Sequence, residues 1–296
     1  MSISKKSSFK GESSKGTLYL VPTPIGNLGD MTFRALEVLN EVDLICAEDT
    51  RNTKRLLSHF EIKTPQISFH EHNTKERIPY LLEKLQQGQN LAQVSDAGMP
   101  SISDPGHELV KACIAADIAV VPLPGANAAL CALIASGIVP QPFFFYGFLP
   151  RKKSLLTETL QTLNLQTATL IFYEAPHRLK KTLTAMAEVF GATRKITLCR
   201  ELTKKYEEFL RGDLKDAVSW AEEDEIRGEF VIVVEGNPQP QINSTADQAL
   251  DLPLNDQVEQ LIAEKGLKPN VAIKEVAKRN GLKKQVVYNE YHHLVD

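Results

Sequence analysis

Residues 91–106 read LAQVSDAGMPSISDPG, and the fold turns on how this stretch is read. Leu91 to Val94 is an apolar run of strand length. The residues after it set Gly98, Pro100, Pro105 and Gly106 among serines and aspartates, and an amphipathic stretch near Gly106–Ala116 follows. A strand that passes through a glycine- and proline-rich loop into a helix is part of a β-α-β unit. The loops of such units gather at the carboxyl ends of parallel strands, where open α/β sheets bind ligands.

The same rhythm runs outward in both directions. TLYLV (17–21) precedes a helix near Thr32–Asn40, VDLICA (42–47) one near Thr53–Phe60, QISFH (66–70) one near Lys75–Gln87, and IAVVPL (118–123) an apolar one near Asn127–Ser136. This alternation predicts a mostly parallel sheet covered on both faces. Pro140-Gln141-Pro142 interrupts it. A second α/β unit then begins with FFFYGFL (143–149), a helix near Leu155–Leu163, TLIFY (169–173) and a helix near His177–Phe190. KITLCRE (195–201), FLRGD (209–213), a helix near Leu214–Glu222 and EFVIVVEG (229–236) complete it, with strands close enough in sequence to predict a mixed sheet. The polar stretch NPQPQINSTADQALDLP (237–253) reads as a linker. Helical patterns around Asp256–Lys265, Val271–Asn280 and Lys284–His293, with Gly266 and Gly281 as stops, predict a small helix-turn-helix-like unit. The expected divisions are a disordered tail over 1–16, an N-terminal α/β domain over 17–140, a C-terminal α/β domain over 141–236, the linker over 237–253 and the helical domain over 254–296.

Bulk properties agree with this division. A chain of 296 residues exceeds the size at which one core usually keeps growing. With 43% hydrophobic and 24% charged residues it has the composition of a folded domain, and no apolar run is long enough to cross a bilayer. The N-terminal stretch lacks the apolar segment of a secretory signal, so a cytoplasmic location is expected. Cys46, Cys113, Cys131 and Cys199 lie in apolar segments without metal-ligand spacing, which predicts buried free thiols and no metal site. A net charge of −3 excludes a surface coated in positive potential. Contacts to a nucleic acid would therefore come from local clusters: Arg51, Lys54 and Arg55; Arg151, Lys152 and Lys153; His177, Arg178, Lys180 and Lys181; and Lys278, Arg279, Lys283 and Lys284.

Three loops carry candidate chemistry. In VPTPIGNLGD (21–30), Pro22 and Pro24 stiffen the chain and Gly26 permits close approach of a ligand, although a rigid turn without a ligand has the same composition. Gly98 to Ser103 expose both N–H and C=O groups, which suits a zwitterionic amino-acid moiety, while Asp104 and Pro105 fit the start of the next helix. In PLPGANAAL (122–130), Gly125, Ala126, Ala128 and Ala129 either leave room for a ligand or pack helix on sheet.

Taken together, PTPIGNLGDMTFRAL (22–36), AEDTRNTKRLL (47–57), SDAGMPSISDPG (95–106), PLPGANAAL (122–130) and FYEAPHRL (172–179) resemble the tetrapyrrole-methylase superfamily over roughly Thr17–Gly236. Within it they resemble the bacterial 16S rRNA cytidine 2′-O-methyltransferases. The resemblance implies two α/β domains of tetrapyrrole-methylase type with the cofactor cleft between them, plus a small helical C-terminal domain. It implies S-adenosylmethionine as methyl donor, a cytidine ribose of 16S rRNA in the small ribosomal subunit as acceptor, a homodimer, and neither metal nor membrane as partner. Porphyrin-modifying branches carry a G-x-G-P-G first loop and a G-D-P second loop. Pro24-Ile25-Gly26 and Gly98-Met99-Pro100 depart from both, which weakens a tetrapyrrole substrate.

Carried over residue by residue, the cofactor contacts are Pro24 and Gly26; Gly98, Met99, Pro100, Ser101, Ile102 and Ser103; Ala126; Tyr173, Glu174 and Ala175; and Glu229 and Phe230. Methyl transfer to a hydroxyl is an in-line displacement that needs alignment and a proton acceptor. Asp49, Arg51, Asp96 and Glu174 are the candidates for that work, with Glu48, His70, Glu71 and His72 beside them; each also fits a helix cap or a surface ion pair, Asp49 especially. Two other readings stand alongside: a small-molecule methylase with a tetrapyrrole-like acceptor, and a DNA-binding regulator that senses S-adenosylmethionine without catalysis.

Overall fold

The computed structural model describes residues 14–104, 106–223, 225–240, 252–292 and 294. Five short strands, β1 (Thr17–Leu20), β2 (Leu44–Ala47), β3 (Gln66–Ser68), β4 (Leu91–Val94) and β5 (Ala119–Pro122), form a sheet in the order β3-β2-β4-β1-β5. All four pairings are parallel. A parallel sheet buried on both faces needs apolar side chains on both, and β4 is buried along its whole length. On one face, α1 (Phe33–Glu41) and α2 (Thr50–His59) pack Val38, Leu39 and Leu57 against Ile45 and Ala92. On the other, α3 (Thr74–Gln86) and α4 (His107–Ala115) pack Leu81, Leu85 and Leu109 against Leu18, Cys46 and Leu91. Every loop that follows a strand therefore emerges at one edge.

The helix α4 begins later than expected. Its N-cap is Gly106, at φ 149°, and no side chain caps it. Asp104 therefore does not cap the helix, and Pro105 lies outside the described residues.

The second sheet holds β6 (Phe143–Phe148), β7 (Thr169–Glu174), β8 (Lys195–Arg200), β9 (Glu208–Asp213) and β10 (Phe230–Val234) in the order β6-β7-β10-β8-β9. It is mixed, as its short connections imply: β6 and β7 are parallel and the other pairings antiparallel. One face carries α6 (Lys153–Leu163), α7 (Pro176–Phe190) and α8 (Leu214–Glu223), with Leu160, Leu179, Leu183, Met186 and Leu214 in the core. The other face is covered by α5 (Ala128–Ser136), which precedes the Pro-Gln-Pro break. Ala129, Ala132 and Leu133 of α5 pack on Ile171, Cys199, Val231 and Val233. By packing, α5 thus belongs to the sheet that follows it in sequence, and a boundary at 140/141 cuts the chain after a helix that already serves the second sheet.

The chain forms two compact units, Met1–Asn237 and Pro238–Asp296. Asn237 is tied into the first unit: its N–H donates to the Gln166 carbonyl at 2.8 Å and its side-chain amide to the Asn164 carbonyl at 2.7 Å. The expected linker from residue 237 therefore has an anchored first residue, and 241–251 of it, like 1–13 of the expected tail, lie outside the described residues. The second unit is three helices, α9 (Leu254–Lys265), α10 (Pro269–Arg279) and α11 (Lys284–Tyr291), around Val258, Leu261, Ile273, Val276 and Val287. Gly266 and Gly281 take φ 60° and 64° at the helix ends, left-handed backbone that glycine adopts without a Cβ clash. Cys46, Cys113 and Cys199 are buried free thiols, pushed up to about 12 by burial, whereas Cys131 is half-buried. Among the described residues no helix is long and apolar enough to cross a membrane, and no group of three or more His, Cys, Asp and Glu side chains is arranged to hold a metal ion.

Candidate active site

The loops after β1 and β4 are knitted together at Thr23. Its N–H donates to the Gly98 carbonyl at 2.9 Å, the Gly98 N–H returns a bond to the Thr23 carbonyl at 3.0 Å, and the Thr23 hydroxyl donates to the Ser95 carbonyl at 3.1 Å. Proline on either side of Thr23 supplies no donor, so the pairing stops at one residue. Gly98 lies at φ 79°, and a Cβ there would stand 3.2 Å from Ile25 Cγ2 and 3.4 Å from the Ala126 carbonyl. At Gly26 a Cβ would collide with the aliphatic stem of Lys204, which reaches across from the second sheet. Both glycines are thus constrained by the protein's own packing or backbone, Gly26 by Lys204 and Gly98 by its positive φ.

Between the two sheets lies a cleft of about 470 Å³. One wall comes from the parallel-sheet loops through Ile25, Gly98, Met99, Ile102, Ser103 and Asp104. The facing wall comes from Tyr173, Glu174 and Ala175 at the end of β7, and from Leu202, Lys204, Glu229 and Phe230 beside β8 and β10. Of the expected cofactor contacts, Gly98, Met99, Ile102, Ser103, Tyr173, Glu174, Ala175, Glu229 and Phe230 line this cleft. Pro24 and Gly26 line an adjoining recess instead. Pro100, Ser101 and Ala126 line neither: Pro100 is buried, and the Ser101 hydroxyl accepts from the Gln93 side chain at 3.4 Å.

The cleft is acidic. Glu48, Asp96, Asp104, Glu201 and Glu229 reach it against Lys204 alone among lining cations. Lys204 Nζ is engaged by Glu201 at 2.9 Å and Glu229 at 2.8 Å. Burial, and then the neighbouring Asp104 carboxylate, raise the Glu48 carboxyl above its ordinary value. Asp104 is likewise raised, by burial first and by Asp96 after it. Such a space favours a ligand with positive charge.

The expected catalytic residues fare differently. Asp49 is the N-cap of α2, accepting from the Arg51 N–H at 2.8 Å. The Arg51 guanidinium closes on it at 2.7 Å and holds its carboxyl down at about 2, which makes it a poor proton acceptor. Arg51 itself is 86% exposed and lines neither space. Asp96 stands at the junction of cleft and recess, accepting from the Asp49 N–H at 3.1 Å and from the Asn52 amide at 3.0 Å. Glu174 touches the cleft, yet both its oxygens are committed. Oε2 accepts from the Thr182 hydroxyl at 2.6 Å; Oε1 accepts from the Ala175 N–H at 2.9 Å and faces the Arg178 guanidinium at 3.4 Å. This buried carboxylate positions the turn from β7 into α7. Arg178 also donates to the Leu149 carbonyl at 2.8 Å, so the same guanidinium ties α7 to the end of the segment after β6. His70, Glu71 and His72 follow the edge strand β3, in a turn closed by the Asn73 carboxamide on the His70 N–H at 3.0 Å, and none lines the cleft.

Sequence reasoning missed Ile25, Leu202, Lys204 and Glu201. The last three sit in the connection between β8 and β9, where Glu201 and Thr203 hold φ 52° and 66° without being glycine. No turn signature in ELTKK announces that conformation.

A parallel α/β sheet thus faces a mixed one, with the cleft walled by loops of both. Residues 17–218 match the Tetrapyrrole (Corrin/Porphyrin) Methylases, and the chain belongs to that family. It is 54% identical over 288 residues to the Bacillus subtilis protein named ribosomal RNA small subunit methyltransferase I, covering 97% of this chain and 98% of that one. The protein of the same name from Synechocystis is 49% identical over 273 residues, covering 92% and 96%. Among solved structures, a cobalt precorrin-4 methyltransferase superposes with a TM-score of 0.57 at 15% identity, over 74% of this chain and 94% of that one. A Thermus thermophilus uroporphyrin-III C-methyltransferase complexed with S-adenyl homocysteine gives 0.53 at 15%, over 74% and 97%. At that identity the structures share the fold alone.

Proposed function

We propose that this chain methylates the 2′-oxygen of a cytidine ribose in 16S ribosomal RNA, with S-adenosylmethionine as donor. The observation that carries the reading is identity above one half, along nearly the whole chain, to relatives named for ribosomal RNA small subunit methylation. The 2′-oxygen and the cytidine rest on the wording of the five sequence blocks.

The cleft suits the donor by its chemistry. S-adenosylmethionine, when bound, supplies a methyl group on a positively charged sulfur that needs no metal to activate it. Ile25, Leu202 and Phe230 offer apolar surface for an adenine, and Asp104 offers a carboxylate to an ammonium group. The backbone of Gly98 to Ser103 offers both donors and acceptors to a carboxylate and an amine. Glu48, whose affinity for protons is raised by burial and by neighbouring acids, is suited to take the proton of the acceptor hydroxyl. Asp49 and Glu174 serve as cap and positioning residue.

We further propose a cytoplasmic homodimer. Ile134 on α5 is 81% exposed, and Leu130, Val139, Phe143 and Phe144 are exposed near it in sequence, β6 being an edge strand. An apolar stretch of this kind on an outer helix and strand is suited to a second copy. Ile134→Glu should shift the sedimentation mass to that of one chain; an unchanged dimer, or a monomeric wild type with full activity, removes this part of the proposal. The decisive experiment for the function is to map ribose methylation in 16S rRNA from cells with and without the protein. The expected result is one 2′-O-methylcytidine that disappears with the gene, and an identical map refutes the reading.

A further inference from the structure

The recess beside the cleft, about 260 Å³ in volume, is used by nothing described so far. It lies between the loop after β1 and helix α2, and Asp96 lines both it and the cleft, so the two spaces meet at one carboxylate. Pro24, Leu28 and Leu56 give it apolar walls. Its polar side chains are Thr23, Asn52, Thr53, Arg55, Ser95 and Asp96; the Thr23 hydroxyl is already spent on the Ser95 carbonyl at 3.1 Å and the Ser95 hydroxyl on the Gly98 carbonyl at 3.1 Å.

Thr53 is the telling residue. It is 3% exposed, and its hydroxyl is buried without a hydrogen-bond partner. A threonine inside a helix usually returns its hydroxyl to the carbonyl one turn back. Here the Asp49 carbonyl takes only the Thr53 N–H, at 3.0 Å. A buried hydroxyl left without a partner weakens the fold, whereas valine has the same shape without the polar atom. The hydroxyl is thus left with its hydrogen-bonding capacity unspent beside the recess. Around it, Arg55 makes no ion pair with a described residue, and Asp96 keeps accepting capacity beyond the two bonds it receives.

We propose that this recess receives the base of the acceptor nucleotide, a 4-aminopyrimidine turned out of its stack. The inference rests on the RNA-methylating reading and gives it a residue-level basis for specificity. A flat ring fits between a proline and leucines. The exocyclic amine of cytosine donates to the Asp96 carboxylate, and its ring nitrogen and carbonyl accept from the Thr53 hydroxyl and the Arg55 guanidinium. Uracil would turn a carbonyl toward the carboxylate and leave both unsatisfied. With the base held there, the ribose lies at the wall shared with the cleft, which is where its 2′-hydroxyl has to be.

The test uses the full-length chain saturated with S-adenosylhomocysteine and two five-nucleotide RNAs that differ only in a central cytidine or uridine, with binding followed by fluorescence anisotropy. The wild type should prefer the cytidine RNA by about tenfold. Thr53→Val should remove most of that preference while unfolding at the same or a higher urea concentration and binding S-adenosylhomocysteine as before. Leu56→Trp, which fills the recess, should weaken both RNAs to a similar level. Equal binding of the two RNAs by the wild type, or an undiminished preference in Thr53→Val, overturns the proposal. Preference for cytidine in a protein that transfers no methyl group to small ribosomal subunits would instead leave the recess assigned and refute the proposed reaction.

Discussion

Replacing Arg178 by methionine isolates the buried network at the turn from β7 into α7. The Glu174 side chain has no exposed surface and that of Arg178 is 17% exposed. Removing the cation leaves the carboxylate with only the Thr182 hydroxyl and the Ala175 N–H, and it also loses the bond from Arg178 to the Leu149 carbonyl. Breaking a buried pair from one side costs about 3–5 kcal/mol. Partial exposure of the guanidinium favours the lower end, about 3 kcal/mol. With a urea slope of about 2 kcal/mol per molar, the midpoint should fall by roughly 1.5 M. Trp220, the single tryptophan, packs on the core that α7 shares, so its fluorescence reports the relevant unfolding. The double variant Glu174→Gln with Arg178→Met removes the buried charge, keeps a carboxamide oxygen for the Ala175 N–H and turns its NH2 to the Thr182 hydroxyl, which then accepts, and it should recover at least half of the loss. A change below about 0.5 kcal/mol in Arg178→Met, or a double variant no better than the single one, refutes the network. If Glu174→Gln alone abolishes methyl transfer with stability and donor affinity intact, the carboxylate acts chemically and the positioning role is wrong.

Three further outcomes are expected. Burial and neighbouring acids raise Glu48 and Asp104, so their ionised forms are disfavoured in the free protein, and stability from this source falls as pH rises from the ordinary values of 4.5 and 3.8 upward through the raised ones. A cationic donor favours those same ionised forms. The affinity for S-adenosylmethionine should therefore drop as pH falls through that window, and a pH-independent affinity in calorimetry would count against the acidic cleft. Gly98→Ala forces a side chain into left-handed backbone beside Ile25 and Ala126; it should cost about 1–2 kcal/mol in urea unfolding and weaken donor binding, and a variant as stable as the wild type would show that the loop relaxes freely. Truncation after Asn237 should leave the Trp220 unfolding midpoint and donor affinity unchanged but reduce methyl transfer to small subunits, whereas truncation after Gly236 also removes the bonds of Asn237 to Gln166 and Asn164 and should lower the midpoint. If both truncations transfer methyl groups at the full rate, the C-terminal helices take no part in holding the substrate.

The local pattern of this sequence determined its strands, its helices and the mixed character of the second sheet. Period and turn chemistry act over a few residues, so the β4 strand with its glycine-rich loop, or the glycine stops at 266 and 281, could be read directly. Even the Asp49 cap was legible, because a capping side chain bonds to its own chain two residues on. Tertiary structure alone decided the rest. Helix α5 was assigned to the second sheet by the fit of its small residues on Val231 and Val233, a contact between segments about a hundred residues apart. Glu174 became a positioning group because Thr182, Ala175 and Arg178 together took up its oxygens. Lys204 and Glu201 entered the cleft through strained backbone that no turn motif encodes. Accessibility, charge balance and the competition for hydrogen bonds are sums over neighbours from distant parts of the chain, and a sequence names those neighbours only once it has folded.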